Sequence, residues 1–171
     1  MNIPIILGTA REGRQSEKVA NFVLEVIRKS GVETSIVDVR DYRLSASDNS
    51  GQSPQAKKLA AIINKADALI IVCPEYNHGY PGELKMMLDL LYDEYYDKPV
   101  GLCGVSLGPL GGARGLQALK LTLVSLSMQI IVETVYFANL RTLFDEQGKI
   151  KDASYEKKVS GLLIGLASRL E

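Results

Sequence analysis

The stretch Ala68-Leu69-Ile70-Ile71-Val72-Cys73-Pro74-Glu75-Tyr76-Asn77-His78-Gly79-Tyr80-Pro81-Gly82-Glu83-Leu84-Lys85 decides the fold. It opens with an unbroken apolar run, Ala68–Val72, of the kind found in strands buried on both faces. A loop of turn formers follows, and Pro81 and Gly82 then open a helical pattern. A strand that empties into a loop and then a helix is where open α/β sheets hold ligands. The loop offers a tyrosine, an asparagine, a histidine and free backbone amides, with few bulky aliphatics. That inventory suits a flat aromatic ligand with polar edges. It is also the composition of an ordinary surface turn, so the neighbouring segments have to decide between the two.

The same strand-loop-helix unit recurs in both directions. Ile3–Leu7 reads as a buried strand, with Pro4 tolerated at its start. Val19, Phe22, Val23, Val26 and Ile27 mark one helical face, with Ser16 as the expected cap and Gly31 just past the end. Val32–Val39 is a more polar, edge-type strand, and 40–52 reads as loop. Ser53-Pro54 starts a helix whose apolar side is Leu59, Ile62 and Ile63. The helix expected over Pro81–Tyr92 carries Leu84, Met86, Met87, Leu88, Leu90 and Leu91, too many for one stripe. Pro99–Ser106 is a fourth buried strand, followed by a glycine-rich loop to Arg114 and a helix through Ser127. Gln129–Val132 is expected as a short fifth strand and Phe137–Lys151 as irregular chain. A last helix from Asp152 buries Val159, Leu162, Leu163, Leu166 and Leu170.

Strict alternation of strand and helix implies an α/β protein with a parallel sheet covered on both faces and right-handed crossovers. Five strands fit the flavodoxin-like, doubly wound order 2-1-3-4-5, whose switch point lies between the first and third strands. No linker or repeat divides residues 1–171, and a single domain is expected. Hydrophobic residues make up 46% and charged residues 23%, the balance of a globular chain. Lysine plus arginine equals aspartate plus glutamate, 20 each, so no charge excess points to nucleic acid or an anionic membrane. No apolar run approaches a membrane span and no signal segment is read at the N-terminus. Cys73 and Cys103 lie in strand-like runs without metal or redox spacing, and one histidine cannot build a zinc site. Buried free thiols fit a cytoplasmic location.

The chemistry collects at the ends of strands one, three and four. Gly8-Thr9-Ala10-Arg11-Glu12-Gly13-Arg14-Gln15-Ser16 stands directly before a helix. A phosphate needs backbone N–H donors, hydroxyls and a cation at such a place. Thr9, Ser16, Arg11 and Arg14 are the residues that would meet it. The segment is neither a Walker loop nor the three-glycine dinucleotide pattern, and the alternative is a polar connection with solvated arginines. The loops after strands three and four would cradle a ring from two sides, with Gly111 and Gly112 allowing close backbone approach. A phosphate plus a flat ring at a switch point is the layout of FMN. His78 is read as solvated or structural and Cys73 as a strand residue rather than a nucleophile.

These motifs resemble those of the NADPH-dependent FMN reductases, a family that includes related quinone, azo-dye and chromate reductases. The resemblance is carried by Gly8–Ser16, by Pro74-Glu75-Tyr76-Asn77 with Gly79, Pro81-Gly82, Leu84 and Lys85, and by Gly111-Gly112-Ala113-Arg114. It implies that Thr9, Arg11 and Ser16 hold the FMN phosphate. It implies too that Pro74, Glu75, Tyr76 and Asn77 line the isoalloxazine through backbone atoms, and that Ser106, Gly111 and Gly112 flank its polar edge. NADPH or NADH would be the co-substrate and a small molecule the electron acceptor. Met86 follows Lys85 where the family often has asparagine, so no role of that asparagine carries over. A flavodoxin-type electron carrier is the competing reading, although such carriers tend to be acidic for docking on basic partners. The surplus of apolar residues over 84–91, with Tyr92, Tyr95 and Tyr96 beside it, raises the expectation of a homodimer or a dimer of dimers.

Overall fold

Strand side chains point alternately to the two faces of a sheet, so a strand apolar at every position needs a layer on each side. The computed structural model, which describes residues 1–171, meets that need. Strands β1 (Ile5–Leu7), β2 (Ile36–Asp38), β3 (Leu69–Pro74), β4 (Pro99–Val105) and β5 (Gln129–Phe137) form one sheet in the order β2-β1-β3-β4-β5. All four pairings are parallel. Around the sheet lie α1 (Ser16–Lys29), α2 (Pro54–Ile63), α3 (Gly82–Leu88), α4 (Ala113–Ser125), the single turn α5 (Leu140–Leu143) and α6 (Ser154–Ala167). On one face Ile6, Ile71 and Cys73 pack with Leu59, Leu84, Met87, Leu116 and Leu119 of α2, α3 and α4. On the other, Ile5, Leu7, Ile70 and Val72 pack with Val19, Val23, Leu162 and Leu166 of α1 and α6. The doubly wound order 2-1-3-4-5 expected from the sequence is the order observed.

Several boundaries differ, each for a local reason. Beyond Asp38 the chain coils into a 3-10 turn, Val39–Tyr42, because the Asp38 carboxylate accepts the Arg40 N–H and ends the strand. β5 runs five residues past Val132, to Phe137. A register shift against β4 leaves Val132 and Glu133 both exposed, which breaks the period-two signal. Leu170 lies beyond α6 and is exposed. α3 stops at Leu88, and a 3-10 turn at Asp93–Tyr95 follows. Stopping there lets Leu90 and Leu91 turn into the same core as Met87, and all three are buried within the one chain. Burying a leucine is worth about 1.5–3 kcal/mol, several times the helix propensity given up per residue. Most of the apolar patch that argued for a homodimer is therefore covered internally, leaving Met86 half-buried and Tyr92 and Tyr96 exposed. No helix is long and apolar enough to cross a membrane.

One backbone crossing is unusually tight. Gly111 and Gly112 both have positive φ, 58° and 82°, and both are buried. A Cβ on Gly112 would sit 2.6 Å from the Val105 N, and one on Gly111 2.7 Å from Tyr136 Cβ. Gly112→Ala combines the left-handed penalty, about 1–2 kcal/mol, with a clash against β4 backbone that cannot yield. Denaturant unfolding should show a loss of at least about 2 kcal/mol; a loss near zero would mean the crossing relaxes freely.

Candidate functional site

The loop after β1 is held from behind by arginines. Arg14, whose side chain is 2% exposed, donates from Nη1 to the Thr9 carbonyl at 2.6 Å and to Asp38 Oδ1 at 2.8 Å, and from Nη2 to Asp38 Oδ2. Arg40 donates to the Ala10 carbonyl at 3.2 Å and to the Arg11 carbonyl at 2.6 Å. Hydrogen bonding to Asp38 raises the Arg14 pKa against the opposing effect of burial. Burial pushes the Asp38 carboxyl up, but bonds from Arg14 and the Arg40 amide outweigh it and hold it below the usual carboxylate value. Arg14 thus remains charged with both terminal nitrogens held by Asp38, while its buried Nε has no hydrogen-bond partner and the residue lines the cleft between this loop and those after β3 and β4.

In front of the loop the donors are free. Gln15, not Ser16, occupies the N-cap of α1, in helical conformation and without a side-chain cap. The N–H groups of Gly13, Arg14, Gln15 and Ser16 make no hydrogen bond within the chain. The Ser16 hydroxyl is buried and also lacks a partner. Leaving a buried polar group unpaired costs about 1–3 kcal/mol, which is tolerable where a ligand supplies the missing acceptor. Arg11 is exposed, with its guanidinium 5.9 Å from the Tyr76 ring centre.

The loop after β3 is a tight hairpin. Tyr76 and Gly79 exchange both backbone hydrogen bonds at 2.9 Å, and Asn77 and His78 form the turn with φ of 50° and 65°. Positive φ at both central residues is the two-residue hairpin geometry that asparagine tolerates well. Asn77 is exposed at that tip. Side chains tie the hairpin to its surroundings. The Tyr76 hydroxyl and Thr9 Oγ1 share a hydrogen bond at 2.9 Å, and Tyr80 and Thr122 share one at 2.7 Å. Glu75 Oε2 accepts the N–H groups of Arg114 at 3.0 Å and Gly115 at 3.2 Å, so a carboxylate from the loop after β3 caps α4. Arg114 Nη1 donates to His78 Nε2 at 3.1 Å.

Between these loops opens a cleft of about 440 Å³, inside the usual span of about 300–1,000 Å³ for small-molecule sites. Arg11, Arg14, Ser16, Pro74, Glu75, Tyr76 and Ser106 line it, so most of the expected site residues do converge. Thr9 lies just beneath, 1% exposed, with its hydroxyl occupied by Tyr76. Asn77, Gly111 and Gly112 are not in the wall; the glycines are used in the crossing over β4. The loop after β4, expected to cradle the ring from one side, supplies the far wall through Ser106–Leu110, and Leu140 joins it without having been marked by the sequence. Leu107 and Leu110 are half exposed beside the cleft. A larger depression of about 880 Å³ lies between 47–52 and 89–94. Its lining is chiefly polar side chains, with no switch-point loop among them. Cys73 and Cys103 are on opposite sheet faces; burial drives both thiols up, Cys103 to about 12, so neither is a nucleophile.

A sequence model described as "NADPH-dependent FMN reductase" matches residues 1–142, most of the chain. The chain belongs to that family. A quinone reductase of Pseudomonas putida is 29% identical over 159 residues, covering 88% of this chain and 85% of that protein. An NAD(P)H-dependent FMN reductase of Schizosaccharomyces pombe is 33% identical over 138 residues, covering 75% and 68%. The solved structure of FerB, a flavoenzyme NAD(P)H:(acceptor) oxidoreductase from Paracoccus denitrificans, superposes with a TM-score of 0.83 over 98% of each chain at 19% identity, a likeness of fold. As a family member the chain is an oxidoreductase whose cofactor is FMN, and its residues fit that group. Ser16, the four free amides and Arg11 would hold the phosphate, while Pro74–Tyr76 and Leu107–Leu110 would face the ring from two sides.

Ser16 gives a test with opposite signs. Ser16→Ala removes an unpaired buried hydroxyl and should stabilise the flavin-free protein by about 1 kcal/mol, yet weaken FMN by a similar amount. Thermal unfolding without flavin and fluorescence titration with FMN read the two; an unchanged FMN affinity would remove Ser16 from the site.

Proposed function

We propose that this protein takes reducing equivalents from NADPH or NADH and passes them, through FMN, to a small planar acceptor, with a quinone as the first choice. The observation that carries the reading is that Gly13–Ser16, with their unbonded amides and the orphaned Ser16 hydroxyl, line the same cleft as Pro74–Tyr76 and Leu107–Leu110. Bound there, FMN would supply the hydride-accepting and hydride-donating centre. The chain's part is to bind, orient and exclude. The α1 N-terminus and Arg11 anchor one end. Glu75 fixes the hairpin to α4, so the wall presented to the ring does not drift. Exposed Leu107 and Leu110 give an incoming planar molecule an apolar lip. No side-chain acid or base is placed in a proton-transfer role, and the thiols are spent in the core.

A cytoplasmic enzyme is part of the proposal, since a reducing compartment suits two free thiols. Self-association also remains part of it, now supported by the exposed Tyr92, Tyr96, Leu121 and Val124 rather than by α3. An electron carrier without nicotinamide turnover is disfavoured by the balanced charge.

The nicotinamide and the acceptor both have to reach the same flavin ring at the mouth of this cleft, and on this proposal they do so in turn. Initial rates of NADPH oxidation at several quinone concentrations should therefore give parallel double-reciprocal lines, the ping-pong pattern. Intersecting lines would require a second pocket, and no turnover with either nicotinamide would favour the carrier.

A further inference from the structure

Asp38 is absent from the cleft wall and stands at the end of β2, yet the loop that faces the cleft depends on it. Its carboxylate takes both terminal nitrogens of Arg14 and, at 3.0 Å, the backbone N–H of Arg40. Those two arginines in turn hold three successive carbonyls, of Thr9, Ala10 and Arg11. In a trans peptide the C=O of one residue and the N–H of the next point in opposite directions. Pinning carbonyls 9, 10 and 11 toward the arginines therefore turns the N–H groups of Ala10, Arg11 and Glu12 the other way, and keeps negative carbonyl ends from facing an anion. The Arg11 N–H is caught by Thr9 Oγ1 at 3.3 Å, which fixes the turn further. A bidentate guanidinium–carboxylate pair sets orientation as well as distance, and Arg14 is too buried to swing out toward a ligand without breaking it.

We propose that Asp38, acting through Arg14 and together with Arg40, is a positioning residue that preorganises the β1–α1 loop for a phosphate dianion and so makes the protein select FMN over riboflavin. The proposal rests on the reading of the cleft as an FMN site. Its logic is that binding to a loop already in its bound shape costs less ordering. A flavin without a phosphate does not use the loop and should not sense the brace.

The test compares two ligands on one protein. The full chain, stripped of flavin, is titrated with FMN and with riboflavin by fluorescence, for wild type, Asp38→Asn, Arg14→Lys and Arg40→Ala. Asp38→Asn and Arg14→Lys should weaken FMN by about tenfold, and Arg40→Ala by a few-fold, with riboflavin changed by less than about twofold in each. Arg14→Lys separates the brace from simple charge, because lysine keeps the charge and loses the fork; FMN affinity retained in that variant would overturn the proposal. So would an FMN affinity that holds or rises in Asp38→Asn, the outcome if a freed Arg14 met the phosphate itself. Equal losses for both flavins would indicate general unfolding and overturn it too. Arg40 is exposed, so Arg40→Ala keeps the question open to measurement if the Asp38 variant fails to fold. A wild type that binds riboflavin as tightly as FMN, and from which inorganic phosphate does not displace FMN, would remove the phosphate site and this proposal with it.

Discussion

The helices of this protein cover both sides of the sheet because β1, β3 and β4 are apolar on both of their faces and have to be buried twice. The chain leaving β1 crosses to the face where α1 packs; the chain leaving β3 crosses to the opposite face, where α3 packs. Adjacent parallel strands whose exits part in this way leave a crevice between them at the carboxyl end of the sheet. The cleft lies at that place, with the β1 and β3 loops as its banks and the β4 loop closing the far side. Its position follows from the need to bury two faces, before any residue in it is considered.

A crevice made only by divergence would be a soft one, since loops carry few buried contacts. Here it is tightened by side chains that cross between loops. Thr9 joins Tyr76, Glu75 caps α4, and Tyr80 reaches Thr122 near the far end of that helix. Each such bond is worth only about 0.5–1.5 kcal/mol net. Together they link the β3 loop on one side to the β1 loop and on the other to the glycine crossing beneath the β4 loop. Several polar groups beside the cleft are already engaged within the chain. The Glu75 carboxylate, the Thr9 hydroxyl and the Arg14 fork all have protein partners. Left without hydrogen-bond partners beside the cleft are the Ser16 hydroxyl, the Arg14 Nε and the amides of 13–16, groups that a phosphate would complete.

The elements of this fold differ in how plainly the sequence marks them. Buried strands announce themselves through continuous apolar runs, so β1, β3 and β4 were legible, and with them the alternation, the parallel sheet and the strand order. Elements whose burial is one-sided or interrupted were not. β5 was cut short at Val132 because its register shift exposes two successive residues. α3 was overextended because Leu90 and Leu91 look like more helix and are in fact core residues reached by a turn.

The same division runs through the site. The sequence by itself determined which loops meet and what they carry: hydroxyls, cations and glycines before α1, a hairpin of turn formers after β3, and a glycine pair before α4. Those are properties of residue type and of distance along the chain. Only the tertiary structure decided which of those groups remain available. The Arg14 terminal nitrogens are held by Asp38, 24 positions away, and the Glu75 carboxylate by amides 39 and 40 positions away. Gly111 and Gly112 go to a crossing over β4 and β5. A donor or acceptor has a fixed valence, and whether it is already spent depends on what the fold brings within about 3 Å of it, which no local pattern records.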